Sequence, residues 1–337
     1  MKARYLVVFC IALLAMCIAT QAVTIATVPV GNAGNAGELS GSGAGGWGSD
    51  RICGSVAYNY NIGKYEVTAG QYTDFLNAKA ATDTYALYNT GMSNTSYGSG
   101  ITRSGISGGY TYSVASDFVN RPVNYVSFWD SCRFANWLGN GQGAGSTETG
   151  AYTLGGYNGY DGRTIQRNAN WKWAVTSEDE WYKAAYYKGG SGGYWDYPTS
   201  SNTAPGQDMS DISGNNANYY TAPYAYPIDS GKYTTVVGEF QNSDSPYGTF
   251  DQGGNVWEWN EAIVAQDSSY AYRGLRGGSF YNGYYYLQAS DRYYFYDPTD
   301  EDYSIGFRVS QVVPEPSSIM ALAGGLISLL GIRRRRA

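Results

Sequence analysis

The sequence predicts one irregular α+β domain with little regular secondary structure, and three observations carry that expectation. Three short helices open on capping boxes, aromatic or β-branched runs broken by turn residues fill much of the remainder, and glycine-rich loops at 89–109, 139–162 and 189–217 link them. The first helix follows Thr68, which pairs with Gln71 three residues on, ahead of Tyr72, Phe75 and Leu76. The second follows Ser127 with Asp130, ahead of Phe134 and Leu138. The third follows Ser177 with Glu180, ahead of Trp181, Ala184 and Ala185. Each is expected to run for about ten residues. Lys232 to Val237 reads as one of the short aromatic or β-branched runs. Residues 31–50, dominated by Gly, Ala, Asn and Ser, read as flexible chain. No internal repeat divides the rest, so the expected organisation is a glycine-rich lead-in at 23–52 and a single domain at 53–311.

Both ends read as addresses. Lys2 and Arg4, the apolar run Tyr5 to Ala19, and small residues at −3 and −1 of a cut after Ala22 make 1–22 a signal peptide. At the other end Val313-Pro314-Glu315-Pro316 precedes an apolar stretch, Ser317 to Ile332, and then four arginines, Arg333 to Arg336. As a helix that stretch spans about 24 Å, slightly under a hydrocarbon core of roughly 30 Å. Flanking arginines can snorkel, so a membrane stop before processing is expected, with the positive residues on the cytoplasmic side. The tripartite tail at 312–337 resembles the PEP-CTERM sorting signal of Gram-negative bacteria. That resemblance implies recognition and cleavage by an exosortase, often in organisms that make extracellular polysaccharide. It places the expected destination at the cell envelope, outer surface or extracellular matrix.

Composition narrows the chemistry. The 337 residues include 45 Gly and 35 Tyr but no His. Imidazole bases, Ser-His-Asp and Cys-His nucleophiles and His-containing metal sites are therefore excluded. The formal charge is −6; discounting Lys2, Arg4 and the terminal arginines leaves 16 Lys and Arg against 28 acids, near −12. A nucleic-acid partner is not expected of such a chain. Abundant Tyr, Gly, Ser, Asn and Trp instead favour contact with other molecules, as in paratopes.

Six segments fall in a recognisable order: Ile62-Gly63-Lys64-Tyr65-Glu66-Val67-Thr68, Arg121-Pro122-Val123-Asn124-Tyr125-Val126-Ser127-Phe128, Thr176-Ser177-Glu178-Asp179-Glu180-Trp181, Gly254-Asn255-Val256-Trp257-Glu258-Trp259, Leu275-Arg276-Gly277-Gly278-Ser279-Phe280 and Gly306-Phe307-Arg308-Val309. In this order they resemble the formylglycine-generating enzyme (sulfatase-modifying factor) superfamily, which implies an irregular C-type-lectin-like fold. The resemblance also implies structural calcium. One site would take the side chains of Asp251 and Glu258 with the carbonyls of Gly254 and Val256. A second would take the side chains of Asn218 and Asp229 with the carbonyls of Tyr219 and Gly231. Oxygen-only sets of this kind suit a hard cation.

The resemblance further implies two copper-binding cysteines after the Arg-Gly-Gly-Ser-Phe segment, and here those positions hold Asn282 and Leu287. Neither can replace a thiolate, so copper is not expected; an iron branch that uses histidines is likewise without ligands. Cys53 and Cys132 remain after signal removal, either as an exported disulfide or as buried small hydrophobes.

Where the thiolates would lie, Tyr281 to Tyr303 holds eight tyrosines among short polar residues. Two-torsion aromatics give contact area at low entropic loss, and short polar groups adapt their hydrogen bonds. The family resemblance places this segment along the substrate-facing groove. The expected binding residues are Tyr281, Asn282, Tyr284, Tyr285, Tyr286, Asp291, Arg292, Tyr293, Tyr294 and Tyr296. The reading is an exported, non-catalytic module for a peptide, protein or glycan. Its alternatives are a protein-modifying oxidase with relocated metal ligands and a structural component of an extracellular matrix.

Overall fold

The computed structural model describes residues 22–221, 228–292 and 296–313. Most of the expected signal peptide, the apolar tail, Tyr293 and Tyr294 lie outside these residues. The three helices form where the capping boxes place them: α1 Ala69–Lys79, α2 Phe128–Gly139 and α3 Glu178–Tyr186. All three boxes are complete, so each helix has two of its orphan N–H groups satisfied locally, an arrangement that contributes about 1 kcal/mol. Helix α2 is buried from Phe128 to Leu138 and forms the centre of the main core. Its Phe134 ring meets Tyr72 and Phe75 of α1 and Phe307, with centroids 5.4–6.1 Å apart.

The strands are short: β1 Thr27–Val30, β2 Glu38–Ser40, β3 Arg51–Cys53, β4 Tyr60–Gly63, β5 Ile101–Ser104, β6 Thr111–Val114, β7 Trp173–Val175, β8 Trp257–Gln266, β9 Ala271–Arg276, β10 Ile305–Gly306 and β11 Val309–Val312. They form a four-stranded sheet in the order β1-β4-β11-β7, a three-stranded sheet β10-β8-β9, and the hairpins β2-β3 and β5-β6. Within the four-stranded sheet the pairs are antiparallel, and β11, the last strand among the described residues, lies between β4 and β7. Among the described residues no helix is long and apolar enough to cross a membrane; the expected stop, Ser317 to Ile332, lies outside them.

Such irregular chain leaves many buried carbonyls without ladder partners, and tyrosine hydroxyls take up several of them. Tyr60 donates to Glu180 O at 2.5 Å, Tyr72 to Leu87 O at 2.9 Å, Tyr112 to Ala80 O at 2.8 Å and Tyr186 to Leu287 O at 3.0 Å. Part of the tyrosine excess is therefore internal scaffolding.

Two expectations are corrected. The glycine-rich lead-in at 23–52 is built into the fold: β1 extends the four-stranded sheet, and 41–49 lies against 289–292. Glycine permits that approach, because a Cβ on Gly46 would sit 2.1 Å from Ser290 O and one on Gly48 2.3 Å from Arg292 O. Lys232 to Val237 forms no ladder; its amides bond singly, Tyr233 N to Ser96 O and Val237 N to Asn120 O, both at 2.9 Å.

Candidate functional site

The charged motif residues are largely one another's partners. Glu258 on β8 is fully buried, receives both arms of Arg308 at 2.5 and 2.6 Å, and also accepts from Trp181 Nε1 at 2.7 Å. Glu178, at the start of α3, accepts from Arg276 Nη2 at 2.7 Å and from Arg292 Nε and Nη2 at 2.7 and 2.8 Å, with Arg51 pairing from the rim. These guanidiniums hold its carboxyl far below the usual range despite burial. Acid and arginine from distant motifs thus lock β9, α3, β3 and the chain after Leu287 together.

Asn124 positions the surface above them. Its amide donates to the carbonyls of Tyr97 at 2.7 Å and Tyr303 at 2.5 Å, and its oxygen accepts from Ser99 Oγ at 2.6 Å. The rings of these residues then chain together. Tyr97 lies 6.3 Å from Tyr233 and 5.9 Å from Tyr303, and Tyr303 lies 5.8 Å from Tyr281. Further along the same segment Tyr284, Tyr285 and Tyr286 stack edge-on or tilted at 5.9 and 4.5 Å, and Tyr286 abuts Trp257 at 5.7 Å. Tyr281, Tyr284, Tyr285 and Tyr97 remain 40–51% exposed, enough to present ring faces to a partner. Tyr97 and Tyr233 were not legible as members of this surface. They come from separate loops, and only the motif residue Asn124 hinted at the place.

The other expected binding residues divide. Tyr286 is half-buried, and Tyr296 packs partly buried against the main core. Asn282 is half-buried, accepts from Ser279 Oγ at 2.6 Å and gives its carbonyl to Tyr220 N at 2.8 Å. Asp291 and Arg292 are not brought to the tyrosine surface. Both are buried, Arg292 in the Glu178 cluster and under Trp47, and burial pushes the Asp291 carboxyl up to about 7. Hydrophilicity in sequence does not distinguish a buried ion cluster from a solvated face.

Leu287 is fully buried with Tyr197, Ala217 and Tyr219, filling the second thiolate position with an apolar plug. Cys53 and Cys132 are free, buried, and in separate clusters. Burial, reinforced by Glu178, pushes the Cys53 thiol up to about 11 against the nearby arginines. Burial also raises Cys132 well above its ordinary value. Near neutral pH both are therefore thiols rather than thiolates, and they lie apart from one another.

The two expected calcium positions differ in fit. At the first, Glu258 is saturated by Arg308 and Trp181, and Asp251 Oδ2 accepts from Gly238 N at 2.6 Å. Gly254 and Val256 flank this ion pair on the turn into β8, where φ of Gly254 is +82°. A calcium ion there would have to share the Glu258 oxygens with Arg308 and Trp181, leaving Asp251 Oδ1 as the carboxylate oxygen outside that pairing. At the second, Asp229 pairs with Arg121 and the Tyr219 carbonyl accepts from Gln207, while Gly231 sits in the exposed Asp229–Lys232 turn. The buried Asn218 Oδ1, however, has no hydrogen-bond partner. Among the described residues no group of three or more Cys, Asp or Glu is arranged to hold a metal.

Among solved structures, Treponema denticola variable protein 1 aligns with a TM-score of 0.54 at 19% identity, covering 87% of this chain and 96% of its own. CarF aligns at 0.52 and 20% identity over 86% and 99%. PvdO from Pseudomonas aeruginosa aligns at 0.45 and 20% over 79% and 84%. At these identities the likeness to the first two is one of fold, the irregular C-type-lectin-like α+β architecture. No curated protein matches significantly in sequence. Residues 312–336 match the PEP-CTERM protein-sorting motif, which implies recognition by the exosortase machinery and export to the envelope or surface of a Gram-negative bacterium. Residues 54–312 match the sulfatase-modifying factor enzyme 1-like domain, and the chain belongs to that family.

Proposed function

We propose that this is an exported, non-catalytic binding module whose tyrosine surface takes a peptide, protein or glycan. One observation carries the reading: where the family resemblance calls for two thiolates, Asn282 bonds Ser279 and Leu287 is packed core, while exposed Tyr281, Tyr284 and Tyr285 surround them. A surface of rigid aromatics on an ion-paired scaffold is suited to recognition and offers no redox centre. The oxidase alternative would need Cys53 and Cys132 to converge, and they lie in different clusters.

Calcium belongs to the reading only at the second position, where Asn218 Oδ1 would be the first ligand and Asp229 would have to leave Arg121. Exosortase cleavage would release the module from its tail, leaving it at the outer surface or in an extracellular, biofilm-type matrix. The test is retention of the processed chain on envelope and matrix material, with Tyr281, Tyr284 and Tyr285 intact or replaced by Ala. Metal analysis of the same preparation separates the classes: stoichiometric copper would favour an oxidase.

A further inference from the structure

The tyrosine surface has an electrostatic character that narrows its ligand. The processed chain carries 16 Lys and Arg, and much of that positive charge is spent inside: Arg133, Arg276 and Arg308 are fully buried, and Arg292 nearly so. The acids that outnumber them lie disproportionately outside. Beside the rings, the loop 297–302 holds Asp297, Asp300, Glu301 and Asp302, all partly exposed. It is docked there by Tyr125 N to Asp302 O at 3.0 Å and Phe128 N to Pro298 O at 3.1 Å. No described residue from 281 to 303 is cationic except the buried Arg292. Lys232, the sequence neighbour of Tyr233, is committed to Asp117 at 3.3 Å, and Arg103 to Asp83 at 3.1 Å.

Resting on the reading that this is the binding surface, we propose that it takes a cationic polypeptide, a segment whose Lys or Arg side chains lie over Tyr284, Tyr285, Tyr281 and Tyr97 and pair with Asp300 and Asp302. Ring faces attract cations through their quadrupoles, and carboxylates beside them add charge selection. The fold already uses this contact internally: Arg103 lies 4.4 Å from the Tyr110 centroid and Arg133 4.3 Å from that of Tyr85. A neutral glycan would use the rings and leave the acids without a partner.

The test is calorimetric titration of the processed chain with an Arg-Gly repeat peptide, its citrulline counterpart and a neutral oligosaccharide. The charge variant is Asp300→Asn with Asp302→Asn. The amide oxygen can still accept from Asp297 N at 2.9 Å and Ser304 N at 2.8 Å, so both turns are kept while the charges go. The ring variant is Tyr284→Ala with Tyr285→Ala, and unchanged melting temperatures exclude misfolding. The expected result is arginine-peptide binding that weakens about tenfold with citrulline, about tenfold in the charge variant, and more in the ring variant. It should also fall as salt rises from about 0.1 to about 1 M, where the screening length shrinks from ~10 to ~3 Å. Equal binding of the citrulline peptide, or ring-dependent binding of the glycan alone, overturns the cationic proposal and leaves the binding surface standing. Arginine-peptide binding indifferent to the ring variant is unspecific attraction to an acidic protein and overturns it too. Absence of any ring-dependent binding, including to envelope material, overturns both.

Discussion

Replacing Glu178 by Gln deletes one charge at the point where α3, β3, β9 and the chain bearing the tyrosines meet. The carboxylate is 1% exposed and pairs with Arg276 and Arg292, whose side chains are 0% and 4% exposed. Its amide leaves two buried guanidiniums without a full counter-charge, because Asp291 beside them has its carboxyl pushed up to about 7. Removing one partner of a buried ion pair costs about 3–5 kcal/mol, a large part of a domain stability of roughly 5–15 kcal/mol. Urea unfolding followed by tryptophan fluorescence should therefore show a midpoint lower by on the order of 1–2 M. Adding Arg292→Met should recover part of the loss by removing one stranded charge, whereas Tyr160→Phe, at an exposed position, should change stability by less than about 0.5 kcal/mol. A loss below about 1 kcal/mol for Glu178→Gln would refute the view that this cluster holds the surface in place.

The remaining predictions use the same scaffold. Burial raises the carboxyl of Asp291, and burial with mutual repulsion raises Glu301, which faces Asp130. Acids that bind protons more tightly when folded lose stability as pH rises, so unfolding free energy should fall from about pH 4 to about 8. The Glu178 contribution, from a depressed carboxyl, is lost only in stronger acid. A stability curve that rises through that window would contradict the assignment, and Glu301→Gln should flatten it. Gly46→Ala forces a Cβ to within 2.1 Å of the Ser290 carbonyl and should lower stability by about 1–3 kcal/mol; an unchanged midpoint would mean that 41–49 is not clamped. Alkylation without reductant should label neither thiol in the folded, processed chain and both Cys53 and Cys132 after unfolding; unlabelled thiols in denaturant would reveal a bridge. If calcium sits at Asn218, chelation should lower the melting temperature of the native chain and leave an Asn218→Ala variant unmoved.

The helices were legible because a capping box is local: Thr68, Ser127 and Ser177 each find their partner three residues on, whatever the rest of the chain does. The motif order was legible in a different way: its acids and arginines, Glu258 with Arg308 and Glu178 with Arg276, meet as buried pairs that join separate motifs. Non-local uses of the same residue types were not legible. Glycines at 46 and 48 looked like linker because their neighbours, Ser290 and Arg292, are more than 240 positions away. Asp291 and Arg292 read as binding residues because nothing in their own segment announces Glu178. Tyr97 and Tyr233 join the surface only through tertiary contacts made by other segments, while Tyr72 and Tyr186, identical in type, are fully buried.

The tyrosine surface, on this reading, is what holds the processed chain to its ligand. The most direct test of this is retention of the processed chain on envelope and matrix material, compared with a Tyr281→Ala, Tyr284→Ala, Tyr285→Ala variant of equal melting temperature. The native chain should be retained and the variant should not. Equal retention of the two would contradict it.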